Sequence, residues 1–513
     1  MTSPWTDDLM PSAGAPRVPR PRSPRLRSPR AGSGFSGALG ALIVVVVLGA
    51  LAIPVSSLVR GGKSFWPHEW DPRISPIAKR DVELRGLRYK HPVAVRFVPD
   101  QAFKKLVSGG EGVDTAARAE IAREAATFRA LGFIGGDVNL FEVTKQTGEA
   151  GVLAFYDFDK KEIVVRGATI DVSHRATLAH ELVHVLQDQH FDIRKIERRA
   201  SQDDERRGGS AGAMLALIEG DANRVRAAYL KALSAAEQSQ YDRERAAEGT
   251  AFGKATAGVP PFVQLLFAAP YELGPFTIRM LLAAGGNATV NAALTGPTPT
   301  SADFVQAGLI APPPPNLPAP VIVDGEVAAG TPEAFGAFEL YVTLASRGDA
   351  GAALTAADAV LGGRAQGLRR NGTYCYRATL ATRDVPAANF VVGSLQQWGK
   401  SATGAFVRRD GTSVTFTACD PGSKAVGASK EKLDAAELVL GARSGIAVGL
   451  AVGGAKPEVA RCVARLFALD PGAVDILKRA GSGSLPPDET ARVRTLVQQE
   501  ALSCRSNPNA GLL

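Results

Sequence analysis

The stretch HELVHVLQDQH, residues His180 to His190, sets two histidines four positions apart with a glutamate directly after the first. On a helix of 3.6 residues per turn, positions four apart lie about 40° around the axis and one turn along it, so His180 and His184 can direct their rings at one point. Two imidazoles aimed together, with Glu181 beside them, is the pattern in which histidines hold a zinc ion and a carboxylate handles a proton. The plainer alternative, two buried histidines satisfied by ordinary hydrogen bonds, makes no use of Glu181. The surrounding SHRATLAHELVHVLQDQHF reads as a buried helix, with an apolar stripe at Leu178, Leu182, Val185 and Leu186 and Ser173 as its expected N-cap.

A zinc centre of this kind needs a third protein ligand. His190 stands ten residues after His180, the spacing of the longer pattern HExxHxxGxxH, whose glycine breaks the helix and turns the chain back to the ion. Here Gln187 holds the glycine position, and glutamine sustains a helix. On an unbroken helix His190 lies about 9 Å beyond His184 and roughly 100° around from the other two rings, out of reach. ALIEGDAN, residues 216 to 223, offers a carboxylate instead. It belongs to a second helical stretch with a stripe at Met214, Leu217, Ile218, Val225, Tyr229 and Leu233, with Gly220 inside it. Glu219 there sits among apolar residues, where an unpaired charge is costly and a cation would neutralise it. With His180, His184 and Glu219 as Zn2+ ligands, Glu181 is placed to take a proton from a water whose pKa the zinc lowers to about 7.

Other segments frame these helices. TAARAEIAREAATFRALG has helical period and stops at Gly132, and GVLAFYDFDKKEIVVRG alternates around a charged turn as a β-hairpin. RRASQDDERRGGS reads as a charged loop between the two ligand helices, and VPPFVQLLFAAPYELGPFTIRMLLAAGG as further buried helix. Strand-like runs GTYCYRATLA and SVTFTACD follow, and the chain ends in an Ala-rich helical region.

In this order, GVLAFYDFDKKEIVV, TLAHELVHVLQDQHFD, ALIEGDA and APYELGPFTIRMLLAAGG resemble a group of exported and membrane-anchored bacterial HExxH metallopeptidases of the gluzincin type. The resemblance covers about residues 85 to 310. It implies a zincin-like fold with His180, His184 and Glu219 as metal ligands and Glu181 as general base. Many gluzincins carry an aspartate four residues after the ligand glutamate to orient a histidine; this chain has Asn223 there and Asp221 at plus two, on the buried stripe. Both are expected behind the ligands rather than on the metal. The family's transition-state donor is not assigned by the motifs, Tyr156 and Tyr271 being the aromatic candidates. In many such enzymes an edge strand beside the zinc helix binds extended substrate, and KEIVVRG is the expected strand if the hairpin is more than structural.

The net charge of +8 suggests a nucleic-acid partner until it is located. Six arginines between Arg17 and Arg30, against Asp7 and Asp8, give the first 36 residues half of it. That tail reads as a disordered arm, and no nucleic-acid partner is expected. GALGALIVVVVLGALAIPVSSLV, residues 37 to 59, carries no charge and spans about 35 Å as a helix, enough to cross a membrane. Arginines stay cytoplasmic, so the chain after Arg60 is expected outside. The small residues ALA at 50 to 52 leave a cleaved signal peptide as the competing reading, against which stand the spanning length and the long leader. All four cysteines lie in the last third, as disulfides in an oxidising compartment. The pairing Cys375–Cys419 and Cys462–Cys504 is preferred because each pair joins segments of one character.

The expected organisation is a disordered basic tail (1–36), a transmembrane helix (37–59), a juxtamembrane spacer with Trp66 and Trp70 at the interface (60–85), a zinc metallopeptidase domain (86–310), a Pro-rich linker (311–320), an α+β region (321–430) and a helical, disulfide-containing region (431–513). The fold class expected is α+β, mainly helical with a small sheet. The expected activity is zinc-dependent endoproteolysis of peptide or protein substrates outside a bacterial cytoplasm. Its rival is a catalytically inactive binding or scaffold protein of the envelope on a metallopeptidase fold.

Overall fold

The computed structural model describes residues 66–108, 115–207, 210–306, 317, 319–470, 472, 473, 475, 476 and 486–507. The basic tail and the apolar segment 37–59 lie outside the described residues, as does most of the Pro-rich stretch. The protein is α+β and mainly helical, with two small sheets.

The first part of the chain runs α1 (Ser75–Arg85), β1 (Ala94–Val98), α2 (Asp100–Val107), α3 (Thr115–Leu131), α4 (Leu140–Gly151), β2 (Ala154–Asp157), β3 (Glu162–Arg166), α5 (Val172–Phe191), α6 (Ile193–Arg207), α7 (Ala211–Lys231), α8 (Ala235–Ala255), α9 (Pro261–Thr295) and α10 (Ser301–Val305). Its three strands pair in the order β1-β3-β2, with β1 parallel and β2 antiparallel to the central β3. The expected hairpin is present, but KEIVVRG forms the middle strand; the edge beside the ligand helix is β2.

Helix α5 is unbroken through Gln187, as its sequence implies, and ends where Asp192 takes a left-handed φ of 56°. Its N-cap is Asp171, whose carboxylate accepts the His174 N–H at 2.8 Å; Ser173, the expected cap, lies inside the helix. Leu178, Leu182, Val185 and Leu186 are all buried. The charged stretch expected as a loop is helix α6, because its Arg, Lys, Glu and Ala residues favour helix and Ile193, Ile196 and Ala200 bury one face. The expected spacer also becomes structure from Ser75 onward: Ile74, Ile77 and Ala78 are buried, and α1 packs on α5 and α7. Trp66 stacks on His91 and Trp70 meets Tyr89 edge-on.

The second part runs β4 (Glu326–Ala328), β5 (Glu333–Ala334), α11 (Ala337–Ala345), α12 (Ala350–Asp358), β6 (Val360–Arg370), β7 (Thr373–Thr382), α13 (Val385–Gly399), β8 (Phe406–Asp410), β9 (Ser413–Cys419), α14 (Lys430–Val452), α15 (Pro457–Leu469) and α16 (Pro487–Ser506). The sheet order is β4-β6-β7-β9-β8, with β5 also on β6. Cys375 and Cys419 are register partners on β7 and β9 and form a disulfide; Cys462 and Cys504 form the other, between α15 and α16. Both pairings are those preferred from the sequence. Helix α14 is, among the described residues, the one helix long and apolar enough to cross a membrane, but 61% of that window is buried, against α9 and α15.

One hydrophobic core runs through both parts, with Phe103, Ile134 and Phe262 in the same cluster as Leu340, Tyr376 and Phe416. Arg129 and Asp420 add a bidentate ion pair across the two, at 2.9 and 2.6 Å. The segments on either side of the Pro-rich stretch are therefore packed together.

A close helix crossing lies behind the candidate ligands. A Cβ on Gly220 of α7 would overlap the Gly274 backbone of α9, and a Cβ on Gly274 would overlap the Ala216 carbonyl. Gly220 is thus in its helix because α9 leaves no room for anything larger. Substituting Gly220→Ala or Gly274→Ala is expected to cost about 1–3 kcal/mol through overpacking. Gly253→Ala, on the exposed face of the last turn of α8 with open space around it, is expected to stabilise by about 0.5–1 kcal/mol. Thermal unfolding of the three variants measures both signs.

Candidate metal centre

Helices α5 and α7 pack side by side through Leu182 and Val185 against Met214, Leu217 and Ile218, and through Val183 against Ala222 and Val225. This packing brings Glu219 opposite the two histidines. The Glu219 Oε2 is 3.0 Å from His180 Nε2 and 3.4 Å from His184 Nε2, and the two Nε2 atoms are 3.0 Å apart. All three side chains, and Glu181, are 1% exposed. Among the described residues these three are the group able to hold a metal ion.

The proton positions follow from the groups behind the rings. Asn223 donates its Nδ2 to the Tyr271 carbonyl at 3.2 Å, which turns its Oδ1 to His180 Nδ1 at 3.1 Å. Gln187 donates its Nε2 to the Ile218 carbonyl and to Asp221 Oδ2, both at 3.0 Å, which turns its Oε1 to His184 Nδ1 at 2.9 Å. Neither amide can be flipped without facing its oxygen to a carbonyl or carboxylate, acceptor to acceptor, so both Nδ1 atoms carry hydrogen. In the neutral rings both Nε2 atoms then present lone pairs, to each other and to a carboxylate oxygen. Three converging acceptors in a buried site repel unless a proton or a cation lies between them. A tetrahedral zinc with bonds of about 2.0–2.1 Å holds its ligands about 3.3 Å apart, so the residues fit the ion with shifts of a few tenths of an ångström.

Without a cation, a proton fills that role. Burial works against charge on His184, yet the adjoining Glu219 carboxylate raises its pKa from 6.5 to about 9. Burial lowers His180 to about 4, and the charge on His184 adds to this. Burial alone would raise Glu219, but the His184 charge and both histidine hydrogen bonds bring it down to about 2. Glu181 is different: burial raises it to about 8. Its Oε2 accepts the Tyr156 backbone N–H at 2.9 Å, and its Oε1 has no hydrogen-bond partner among the described residues.

His190 points away, its Nε2 lying 2.8 Å from the Arg88 carbonyl, and it is exposed rather than near the core. Asp221 touches neither histidine. It is fully buried and accepts from Gln187, from Arg85 Nε at 2.8 Å and from Arg224 Nε at 2.9 Å. The group that orients His180 is Asn223, and His184 is served by Gln187, which the sequence reading took only as a helix former. A polar residue one turn after His184 on a fully buried helix was the available signal. Tyr271 hydrogen-bonds through its side chain to Glu219, and Tyr156 reaches Asp188 Oδ2 with its hydroxyl at 2.9 Å. Arg226, two turns after Glu219 on α7, adds a positive charge felt at His180 and Glu181.

No family model matches this chain, and no curated protein or solved structure matches it either.

A histidine whose pKa is raised on folding contributes stability that is whole below its unfolded value and lost as pH climbs through the folded one. For His184 that window runs from pH 6.5 to about 9, and Glu181, also raised, loses stability in the same direction up to about 8. The metal-free protein is therefore expected to melt progressively lower across this range. Zinc-loaded protein, in which the ion replaces the shared proton, is expected to hold its melting temperature there. Calorimetry of chelator-treated and zinc-reconstituted samples at several pH values compares the two.

Proposed function

We propose that this chain is a zinc-dependent metallopeptidase of the gluzincin type, anchored by residues 37–59 and acting on peptide or protein substrates outside the cytoplasm. The observation that carries the reading is the meeting of His180 Nε2, His184 Nε2 and Glu219 Oε2, with the ring protons fixed on the far side by Asn223 and Gln187. The donor set of two imidazoles and one carboxylate suits zinc and is the set found where one coordination position is left for chemistry. Bound there, zinc would polarise a carbonyl and lower the pKa of water.

The chain's own residues supply the rest. Glu181 follows His180 directly, is held through one oxygen by the Tyr156 N–H, and keeps the other free of protein partners. That oxygen can accept a proton and return it to a leaving amine, the work of a general base and acid. The positive charge of Arg226 favours the ionised form of Glu181. Strand β2, whose Tyr156 N–H faces Glu181 rather than β3, is the sheet edge nearest the site and supports the idea of an extended substrate lying along it.

A second reading, a non-catalytic envelope protein with a structural metal, draws on the burial of all four side chains at 1% exposure. The two readings separate on Glu181. Wild-type protein is expected to contain one zinc and to cleave members of a mixed peptide library. Glu181→Gln is expected to keep the zinc and lose roughly 10²–10⁴-fold of the cleavage rate. Glu219→Ala should lose the metal, whereas His190→Ala should retain it. Full zinc with no cleavage by the wild type would establish the structural role instead.

A further inference from the structure

A second polar site lies where the two parts of the chain meet. The end of α3, the turn between α11 and α12 and the loops after α13 and β9 enclose a cleft of about 360 Å³ whose polar lining is Arg129, Arg347, Ser401, Thr403 and Lys424, with Ala130, Pro421 and Val426 completing it. That volume lies in the roughly 300–1,000 Å³ range of small-molecule sites.

The walls are fixed. The Cys375–Cys419 disulfide holds the end of β9, and the Cys419 N–H donates to the Thr403 carbonyl at 2.8 Å. The turn carrying Lys424 is docked by the Gly136 N–H on the Ala425 carbonyl at 3.1 Å. Arg347 lies over the Trp398 ring, 5.4 Å from its centre, and donates to Ser401 Oγ at 2.9 Å. It also lies against Gly132, which has a left-handed φ of 78° and whose Cβ, if present, would overlap the guanidinium.

The charges in this cleft do not balance. Asp420 is committed to Arg129 and to the Gly422 N–H at 2.8 Å. Among the described residues Asp420 is taken by Arg129, Arg347 bonds Ser401, and no ion pair joins a carboxylate to Arg347 or Lys424. Burial lowers the Arg347 pKa, with no neighbouring carboxylate working against it. Three cations thus face one carboxylate, leaving an excess of two positive charges at the mouth of a polar cavity. Phosphate and its monoesters carry close to two negative charges at neutral pH and offer three or more acceptor oxygens. A guanidinium, an ammonium and the Thr403 hydroxyl match that charge and geometry, Ser401 donating its own hydroxyl to the Trp398 carbonyl and holding Arg347 in place.

We propose that this cleft binds phosphate or a phosphomonoester between Arg347 and Lys424, with Thr403 bonding a remaining oxygen and Ser401 positioning Arg347. The ligand would tie the end of α3 to the loops of the second sheet and stabilise the seam by mass action. The test is titration calorimetry of the full chain in neutral detergent, with inorganic phosphate and separately with glycerol 3-phosphate, against chloride at matched ionic strength. Saturable one-to-one binding with a dissociation constant at or below about 1 mM is expected. Binding of both probes points to the bare anion, and binding of glycerol 3-phosphate alone to the ester. Arg347→Met and Lys424→Met should each weaken binding at least about tenfold, the loss of one charge-assisted hydrogen bond. Lys424 is exposed, so its variant keeps the fold even if the packed Arg347→Met does not. Zinc content should be unchanged in either. No saturable binding of either probe up to about 10 mM, or unchanged binding by Lys424→Met, would overturn the proposal.

Discussion

Three hydrogen-bond acceptors pressed within 3.4 Å of one another, in a site closed to water, are the constraint around which this fold is arranged. A protein gains nothing from placing two imidazole lone pairs and a carboxylate together unless something positive belongs between them. The arrangement is also maintained from behind. Asn223 and Gln187 each use their amide nitrogen on fixed acceptors, and so leave only oxygen to offer the rings. The convergence of acceptors that would favour a cation is therefore held in place by hydrogen bonds made behind the rings.

Those hydrogen bonds reach well into the fold. Gln187 leans on Asp221, and Asp221 is shared by Arg85 of α1 and Arg224 of α7. Arg85 and Arg224 in turn bond Asn291 and Asn287 of α9, each at 2.7 Å. Asn223 leans on the Tyr271 carbonyl of the same helix. The two glycines that let α9 come so near α7 are thus a condition of the site's polar framework as well as of packing. Helix α14 backs α9 from the far side through Val448 on Met280, so the second part of the chain supports the ligand geometry at one remove.

How much of this could be read from the sequence depended on whether the signal was periodic or relational. The stripes on α5 and α7 located both helices, and the absence of a helix breaker at Gln187 correctly placed His190 away from His180, His184 and Glu219. The apolar setting of Glu219 identified the third acceptor. The disulfide pairs were legible because Cys375 and Cys419 lie on strand-like runs that turn out to be register partners. What failed to show was anything decided by a distant neighbour. The local exception is the cap, which Asp171 takes from Ser173 because its carboxylate reaches the His174 N–H three residues on. A charged stretch became α6 because Ile193, Ile196 and Ala200 found a surface to cover. KEIVVRG became a central strand because β1, some 65 residues earlier, pairs with it. Asn223 and Gln187 are amides whose function exists only through the carbonyl and carboxylate that hold their nitrogens.

Burial bears on the proposed function in two opposite ways, and they part at Glu181. A low-dielectric surrounding strengthens the hold of His180, His184 and Glu219 on a cation, which suits a structural metal as well as a catalytic one. It also makes Glu181 costly. Its carboxyl is driven up to about 8, one oxygen lacks a partner, and at neutral pH the group must either lose its hydration or carry a proton. A site that only bound metal would be more stable with an amide or an apolar side chain in that position. A buried carboxyl with one oxygen free of protein partners, beside three residues able to hold a metal ion, is, by contrast, placed as the proposed proton transfer requires. The stability given up at this one residue is the physical reason to prefer an enzyme over a scaffold.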